Sequence, residues 1–253
     1  STSSRGLGDV YKRQLLRFLR AKRISSAHRD ICDKPITEAE TRLAISRSSN
    51  NKSPGPDCLP TEFYKAFADM ISGELTEVFN EAIDMGMLPD RMLEGEIALL
   101  YKKKDPRDIR NYRPITLLNA DYKIVAKVMG ERLKQTLDSI ISPPQTGFVP
   151  KRQITDNTHL LKLVQAYLDE TDEEGIMVFL DCEKAFDRCS WDYLHKSMHA
   201  LGYGPVMCNF IRLLTDVNES PRRRIKANGQ KGPWFSLQSG VAQGCPLSPI
   251  LFL

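Results

Sequence analysis

The stretch Ile176–Asp187 has the sequence Ile-Met-Val-Phe-Leu-Asp-Cys-Glu-Lys-Ala-Phe-Asp, in which five consecutive apolar residues are followed at once by an acid. A short, continuous apolar run is typical of a β-strand that is buried on both faces of a sheet. The run therefore predicts a buried strand at residues 176–180. Asp181 would stand at its carboxyl end, where open α/β sheets place their ligands. A carboxylate in that position needs a cation or a hydrogen-bond donor.

Helical periodicity surrounds this stretch on both sides. After it, Trp191–Leu201 is predicted to be a helix that ends at Gly202, and Thr37 with Glu40 forms a capping-box pattern. Further helices are predicted at Leu59–Met85 (one broken helix or two, with Phe63, Phe67, Met70 and Ile71 on a core face), Tyr122–Leu137 (with Lys127, Arg132 and Lys134 outside), Thr155–Leu168 (with Leu160, Leu161, Val164, Tyr167 and Leu168 inward) and Pro205–Thr215.

Two hairpins are predicted, and both carry cations. The first runs from a strand at Glu96–Tyr101, through Lys102–Lys104 and a turn, to a strand that begins near Asn111. The second joins Arg222–Gly229 to Trp234–Leu237, with Asn228-Gly229 or a longer loop as its turn. The cations could bind phosphate groups, or could simply keep an exposed sheet edge soluble.

Composition limits the class of protein. The 253 residues, 41% of them hydrophobic, can form one large domain or two small ones, and the net charge of +4 is gathered in basic clusters that suit a phosphate-binding surface. Six cysteines without metal-site spacing indicate reduced thiols in an intracellular protein that is not secreted. No apolar run is long enough to span a membrane. Residues 1–25 are predicted to be a leader, which is either a linker or, over its first 14 residues, an artefact. Within it, Leu15–Arg23 is predicted to be a short basic helix.

Several of these stretches together resemble one family. Phe179–Asp187 resembles the first catalytic motif of reverse transcriptases, most closely those of non-LTR retrotransposons of the long interspersed type. Further landmarks follow the family's order over roughly residues 53–253: Lys52–Asp57, Asn111–Ile115, Gln145–Arg152 and Gly240–Pro249. The resemblance implies an α/β (α+β) fold that is an incomplete right-hand polymerase, with fingers and part of a palm but no thumb. Residues 26–170 would hold an N-terminal extension and the fingers, and residues 171–253 the partial palm.

The resemblance also implies a chemistry, namely transfer of deoxynucleotides from deoxynucleoside triphosphates to a DNA primer on an RNA template, with two Mg²⁺ ions (or Mn²⁺). Asp181 would be the catalytic residue and, with the main-chain carbonyl of Cys182, a metal ligand. The implied nucleotide-binding residues are Lys102, Lys103, Lys104, Arg110, Arg113, Phe186, Gln243 and Gly244. The implied nucleic-acid-binding residues are Phe148, Lys151, Arg152, Arg222, Arg223 and Arg224.

The family's second catalytic motif, Tyr-x-Asp-Asp, does not occur in the 253 residues. We therefore expect these residues alone to be inactive, because one carboxylate cannot hold a metal pair. Two alternatives are a reverse transcriptase like the group II intron maturases, and a decayed or domesticated RNA-binding module without catalysis.

Overall fold

The computed structural model describes residues 14–215 and 221–253, so the interpretation of residues 1–13 as part of a leader lies outside the described residues. The fold is a mixture of helices and one sheet, which confirms the predicted α/β class. The helices are α1 (residues 14–20), α2 (Ser26–Asp33), α3 (Glu38–Ser46), α4 (Thr61–Ala66), α5 (Ala68–Met85), α6 (Asp90–Leu93), α7 (Ala120–Lys134), α8 (Leu137–Ile140), α9 (Ile154–Thr171), α10 (Trp191–Leu201), α11 (Pro205–Thr215) and α12 (Ser248–Phe252). The strands are β1 (Gly95–Tyr101), β2 (Tyr112–Leu118), β3 (Arg222–Ala227), β4 (Gln230–Lys231) and β5 (Phe235–Ser236).

Both predicted hairpins are confirmed, and they share one sheet. β1 and β2 are antiparallel, with Tyr101 opposite Tyr112, and β1 also pairs in parallel with β3. β3 turns back into β4 through Asn228-Gly229, whose φ angles of 52° and 77° are the left-handed conformation that tight hairpin turns require. β5 pairs antiparallel with β3 as well. The sheet thus joins two segments that are more than a hundred residues apart in the chain.

Helix α7 lies at the centre of the hydrophobic core. It packs against α2, α3, α6 and α12, and most of its residues are buried. Local signals set the ends of neighbouring helices as predicted: Thr37 and Glu40 form the capping box of α3, and Gly202 closes α10 with a φ of 89°. The largest fully buried side chains of the core include Phe79, Ile124, Met129, Phe210, Ile211 and Leu247.

The prediction that Arg132 lies on the outer face of α7 is wrong. Its side chain is buried, and its guanidinium donates to both carboxylate oxygens of Glu40, each at 2.8 Å. It also donates to the main-chain carbonyls of Cys32, Lys34 and Pro35, so one side chain ties α7 to the α2–α3 connection. Burial raises the pKa of Glu40, but the hydrogen bonds from Arg132 and Thr37 outweigh it and hold that pKa below its ordinary value.

The prediction of a buried strand at residues 176–180 is also wrong for this structure. The segment has no regular secondary structure, and Ile176 and Leu180 are 95% and 91% exposed. A continuous apolar run becomes a strand only when neighbouring strands satisfy its backbone and cover its faces. Here β1–β5 pair among themselves, and none of them borders residues 176–180.

Two predicted core faces are exposed for the same reason. α9 forms as predicted, but none of its residues is buried. Of the apolar side chains expected to face inward, only Leu168 is half-buried, and the others are exposed. In the α4–α5 region the predicted break is confirmed, and Phe79 and Ile83 are buried, whereas Phe63, Phe67 and Met70 are exposed. Periodicity identifies an apolar face but not the element that covers it.

Candidate active site

Asp181 lies at the rim of a half-open groove of about 1100 Å³. Apolar side chains from α1, α10 and α12 form much of its lining, including Phe18, Leu194 and Phe252. Within residues 14–215 and 221–253, no hydrogen bond or ion pair involves the Asp181 carboxylate, whereas the nearby Glu183 forms an ion pair with Arg188 at 3.5 Å. Asp181 is therefore an exposed acid that is free to take a cation.

The segment that follows Asp181 is fixed to the Gly240 region by main-chain hydrogen bonds. The Val241 amide donates to the Phe186 carbonyl at 2.9 Å, and the Gly240 amide donates to the Cys189 carbonyl at 2.8 Å. A Cβ on Gly240 would lie 2.9 Å from the Asp187 carbonyl oxygen, so the close approach depends on glycine. Two stretches that the sequence singled out separately are thus neighbours in space.

Gln243 and Gly244 continue this contact to the first hairpin. The Thr116 amide of β2 donates to the Gln243 carbonyl at 2.7 Å. A Cβ on Gly244 would lie only 2.4 Å from the Thr116 carbonyl oxygen, and the φ of Gly244 is 129°. The region near Asp181 is therefore linked, through Phe186, Val241 and Gln243, to the strand that carries Arg113.

Replacing Gly244 with Ala is expected to lower the free energy of unfolding by about 2–3 kcal/mol, because the added methyl group overlaps a main-chain oxygen and the backbone is strained. Gly229→Ala is the matched control, since its φ is also positive but its Cβ would meet nothing within 4 Å, and we expect a loss of about 1 kcal/mol. Urea unfolding midpoints measure both. Equal losses would mean that the contact with β2 contributes nothing.

Phe186 does not stand alone at this place. Its ring stacks on Phe252 of α12, with centroids 5.1 Å apart and planes inclined by 16°. The stack fixes the orientation of the Phe186 ring against α12. This partner could not be anticipated from the sequence, because the two residues are distant in the chain.

The predicted triphosphate cations lie on the first hairpin, away from the groove that holds Asp181. Arg110 forms an ion pair with Asp108 at 2.8 Å, and Arg113 is exposed on β2 opposite Leu100. Lys104 has a φ of 72°, and its carbonyl accepts from the Tyr101 hydroxyl at 2.5 Å. Among the described residues, none of Lys102–Lys104, Arg110 and Arg113 lines that groove.

The stretch Gln145–Arg152 divides into exposed and internal side chains. Phe148 is 61% exposed, and Lys151 is exposed too. Arg152 instead donates to the carbonyls of Ser142 and Gln145 at 2.7 and 2.8 Å and holds the turn between α8 and α9 together. Its guanidinium is occupied within the protein, which argues against its predicted contact with nucleic acid.

The three consecutive arginines of β3 also differ. Arg222 and Arg224 lie over the ring of Trp234, at 5.6 and 4.4 Å from its centroid, within reach of cation–π attraction. Arg223 is buried, donates to the Leu93 carbonyl, and has a pKa that burial lowers. Its burial argues against the predicted contact of Arg223 with nucleic acid, and it arises because alternate residues of a strand point to opposite faces.

The sequence analysis did not identify Glu96, the acid that pairs with the cations of β3 and β4. Glu96 of β1 is buried, and Arg224, Lys226 and Lys231 converge on it, the last at 2.8 Å. Burial raises the pKa of Glu96, but hydrogen bonds from Lys231 and Arg224 outweigh that effect and lower it. The sequence signal was a lone acid at the start of an apolar strand. Its partners depend on the parallel pairing of β1 with β3, which no local pattern predicts.

The described residues contain no group of three or more His, Cys, Asp or Glu side chains arranged to hold a metal ion, and no helix among them is long and apolar enough to cross a membrane. All six cysteines are free thiols, as predicted. Asp181 is a single exposed carboxylate. It still suits Mg²⁺, which keeps several waters and needs only one or two carboxylates.

Comparison with known proteins decides the family. Residues 101–253, more than half of the chain, match the sequence profile of the reverse transcriptase (RNA-dependent DNA polymerase) family. The chain belongs to the reverse transcriptase family. Its fold is accordingly part of the fingers and palm of such a polymerase.

Its relatives come from non-LTR retrotransposons. The chain is 37% identical over 229 residues to the transposon TX1 uncharacterized 149 kDa protein of Xenopus laevis, which covers 90% of the chain and 17% of that protein. It is 27% identical over 222 residues to the RNA-directed DNA polymerase from mobile element jockey of Drosophila melanogaster, a match that covers 86% of the chain and 24% of that protein. It is also 27% identical over 217 residues to the retrovirus-related Pol polyprotein from type-2 retrotransposable element R2DM of the same organism, a match that covers 86% of the chain and 20% of that protein. The chain thus spans less than a quarter of the length of each. The recognition of a non-LTR reverse transcriptase is confirmed.

Proposed function

We propose that this chain is the part of an RNA-directed DNA polymerase that supplies the first metal-binding carboxylate and binds the incoming nucleotide. The observation that carries the proposal is the continuous contact from the Asp181 segment to the first hairpin. It runs through the hydrogen bond between Val241 and Phe186 and the one between Thr116 and Gln243. Family membership supplies the reaction class, and this contact supports a joint role for the segments that carry Phe186, Gln243 and Thr116.

Asp181 is proposed to hold a divalent ion, with the main-chain carbonyl of Cys182 as a second ligand. A pair of Mg²⁺ ions, or Mn²⁺, would stabilise the charge that develops on the attacking and leaving oxygens during nucleotide transfer. Gln243 offers an amide to a base or sugar without adding charge. Gly244 lets the main chain approach β2 closely, so that the Gln243 main-chain carbonyl accepts from the Thr116 amide.

The exposed cations of the first hairpin are proposed to bind the triphosphate: Arg113, with Arg110 and one of Lys102, Lys103 and Lys104. Arginine forks bind phosphate oxygens in pairs, and lysine acts as a point charge. Because these residues do not line the groove that holds Asp181, the proposal requires the bound nucleotide to bridge the groove rim and β2. Phe148, Lys151 and Arg222 are proposed to contact the RNA template or DNA primer. The Arg224 guanidinium, like that of Arg152, is engaged within the protein, here by Glu96.

Phe186 is proposed to select deoxynucleotides by packing beneath the sugar. Phe186→Val in a polymerase that contains this chain is expected to raise ribonucleotide use at least about tenfold, because a smaller side chain leaves room for a 2′-hydroxyl. Single-nucleotide insertion with dATP and ATP measures the ratio of kcat/KM values. Phe252→Leu is the control for loss of the aromatic stack alone. Unchanged discrimination in the Phe186→Val polymerase contradicts the role.

Primer extension on an RNA template tests the function as a whole. A polypeptide that continues from these residues to a Tyr-x-Asp-Asp motif is expected to extend a DNA primer, whereas residues 1–253 alone are expected not to. Synthesis by residues 1–253 alone would contradict the need for a second acidic motif. A longer polypeptide that binds RNA but extends no primer would favour the non-catalytic RNA-binding module.

We further propose that residues 26–170 form an N-terminal extension and the fingers, and that residues 171–253 form part of the palm. We also propose that the enzyme is intracellular.

A further inference from the structure

A small cavity, of about 20 Å³, lies between β3, α7, the ends of α11 and α12, and the main chain at residues 240–242. Its volume admits about one group of the size of a water molecule or of a monatomic ion. Of the described residues that line it, only Leu251 also lines the groove that holds Asp181. The cavity is therefore a feature of its own.

One buried cation lines this cavity without an acidic partner. Arg223 is 2% exposed, and among the described lining residues it is the only one that carries a charge. Its neighbours on β3 are paired, since Arg222 lies 3.9 Å from Glu94. Arg224 likewise pairs with Glu96. In the described part of the chain, no carboxylate lies within ion-pair distance of Arg223 itself.

The guanidinium of Arg223 also has a donor that the protein does not use. Its Nη1 atom donates to the main-chain carbonyls of Leu93 and Arg222, the second at 2.9 Å. Its Nε atom is buried, and no hydrogen-bond partner for it occurs among the described residues. Burial lowers the pKa of Arg223, which reflects the cost of removing this charge from water. Arginine nevertheless stays protonated in proteins, so the charge needs compensation from another source.

The rest of the described wall can donate hydrogen bonds but contains no acid. Tyr122 and Ser248 bring hydroxyl groups and Cys245 brings a thiol, and all three residues are buried. Apolar side chains, among them Leu214 and Val241, complete the lining. A group inside the cavity thus meets one positive charge and polar hydrogens in surroundings that are otherwise apolar.

We propose that this cavity binds one small monovalent anion, such as chloride, against the Nε atom of Arg223. An anion accepts from the unused donor and also compensates the buried charge, whereas a water molecule would do only the first. Phosphate and larger anions are too big for the volume. The bound anion would link β3 and α7 to the segment that precedes Gln243. The inference does not depend on the proposed function, because it concerns charge compensation in a separate cavity.

Thermal unfolding of the 253-residue chain in sodium chloride, sodium bromide and sodium gluconate at equal ionic strength tests the proposal. At about ten times its dissociation constant, chloride is expected to raise the unfolding midpoint by about 3–6 °C over gluconate. Bromide should act as chloride does, because its size and charge are similar, whereas gluconate is too large to enter. Broadening of the chloride NMR signal by the folded chain measures binding without unfolding.

Arg223→Gln is expected to abolish both the chloride-dependent shift and the NMR broadening. Arg212→Gln is the matched control and should retain both, because Arg212 is an exposed arginine of α11 that does not line the cavity. Should Arg223→Gln not fold, the comparison of the three salts on the unsubstituted chain still decides. Equal midpoints in chloride and gluconate at physiological concentrations would overturn the proposal and leave water as the occupant. A chloride effect of unchanged size in folded Arg223→Gln would overturn it too.

Discussion

Asp181→Asn is expected to lower primer extension by about a thousandfold or more in a polypeptide that joins these 253 residues to a Tyr-x-Asp-Asp motif. Asparagine keeps the shape of aspartate but removes the charge, and Mg²⁺ requires anionic oxygen ligands in such a site. Loss of metal stabilisation in the transition state amounts to several kcal/mol, and each ~1.4 kcal/mol changes the rate tenfold.

The same substitution is expected to leave the fold unchanged. Asp181 is exposed, and within the described residues its carboxylate has no hydrogen bond or ion pair, so the free energy of unfolding should change by no more than about 0.5 kcal/mol. Glu183→Gln is the matched control, since it removes a nearby exposed carboxylate whose only ion pair, within residues 14–215 and 221–253, is with Arg188. Single-turnover extension rates should separate the two variants. Comparable activity in both would remove Asp181 from the catalytic role.

Local chemistry was readable from the sequence. A capping box, a glycine that ends a helix and an Asn-Gly turn each act within a few residues, so Thr37, Gly202 and Asn228 behave as their patterns predict. The first hairpin was predictable for a similar reason, because its two strands are consecutive in the chain and only residues 102–111 join them. These features depend on neighbours that are close in the chain.

Contacts between residues distant in the chain could not be predicted from the sequence. The apolar run at residues 176–180 has strand composition but no partner among the described strands, and α9 has an apolar face with no buried residue. A hydrophobic segment tends to be buried, but whether it is buried depends on which elements of the fold pack against it. Arg132 shows the converse, because a charged residue was expected outside and is buried by five acceptors that belong to an earlier part of the chain.

The composition of the candidate site stays a prediction, and the contacts around its residues could not be derived from the sequence. Phe186 and Gln243 were expected near one another, and hydrogen bonds to Val241 and Thr116 explain how they are held. The stack of Phe186 on Phe252 and the internal use of Arg152 and Arg223 depend on distant residues. A motif therefore indicates which side chains carry chemistry, while the fold decides which of them are free to act.

Arg132→Met is expected to lower the free energy of unfolding by about 3–5 kcal/mol, the largest effect on stability that we expect from a single substitution here. The methionine replaces the volume of the side chain but leaves Glu40 and the carbonyls of Cys32, Lys34 and Pro35 without their donor. Because a domain of this kind is stable by about 5–15 kcal/mol, such a loss is a large share of the total. Urea unfolding followed by circular dichroism measures it.

Arg42→Met is the matched control for Arg132→Met. Arg42 forms ion pairs with Glu38 and Asp69 on exposed surfaces, so its loss should cost no more than about 1 kcal/mol. Unfolding measured at a series of pH values shows how much of the lost stability comes from the Glu40 carboxylate. The pKa of Glu40 is lowered in the folded protein, so its contribution to stability is present above the pKa of an unfolded glutamate and is lost as the pH falls through the folded value. Arg132→Met should therefore be less sensitive to acid below about pH 5 than the unsubstituted protein. If Arg132→Met and Arg42→Met lose equal stability, the buried arginine does not hold α7 to the α2–α3 connection.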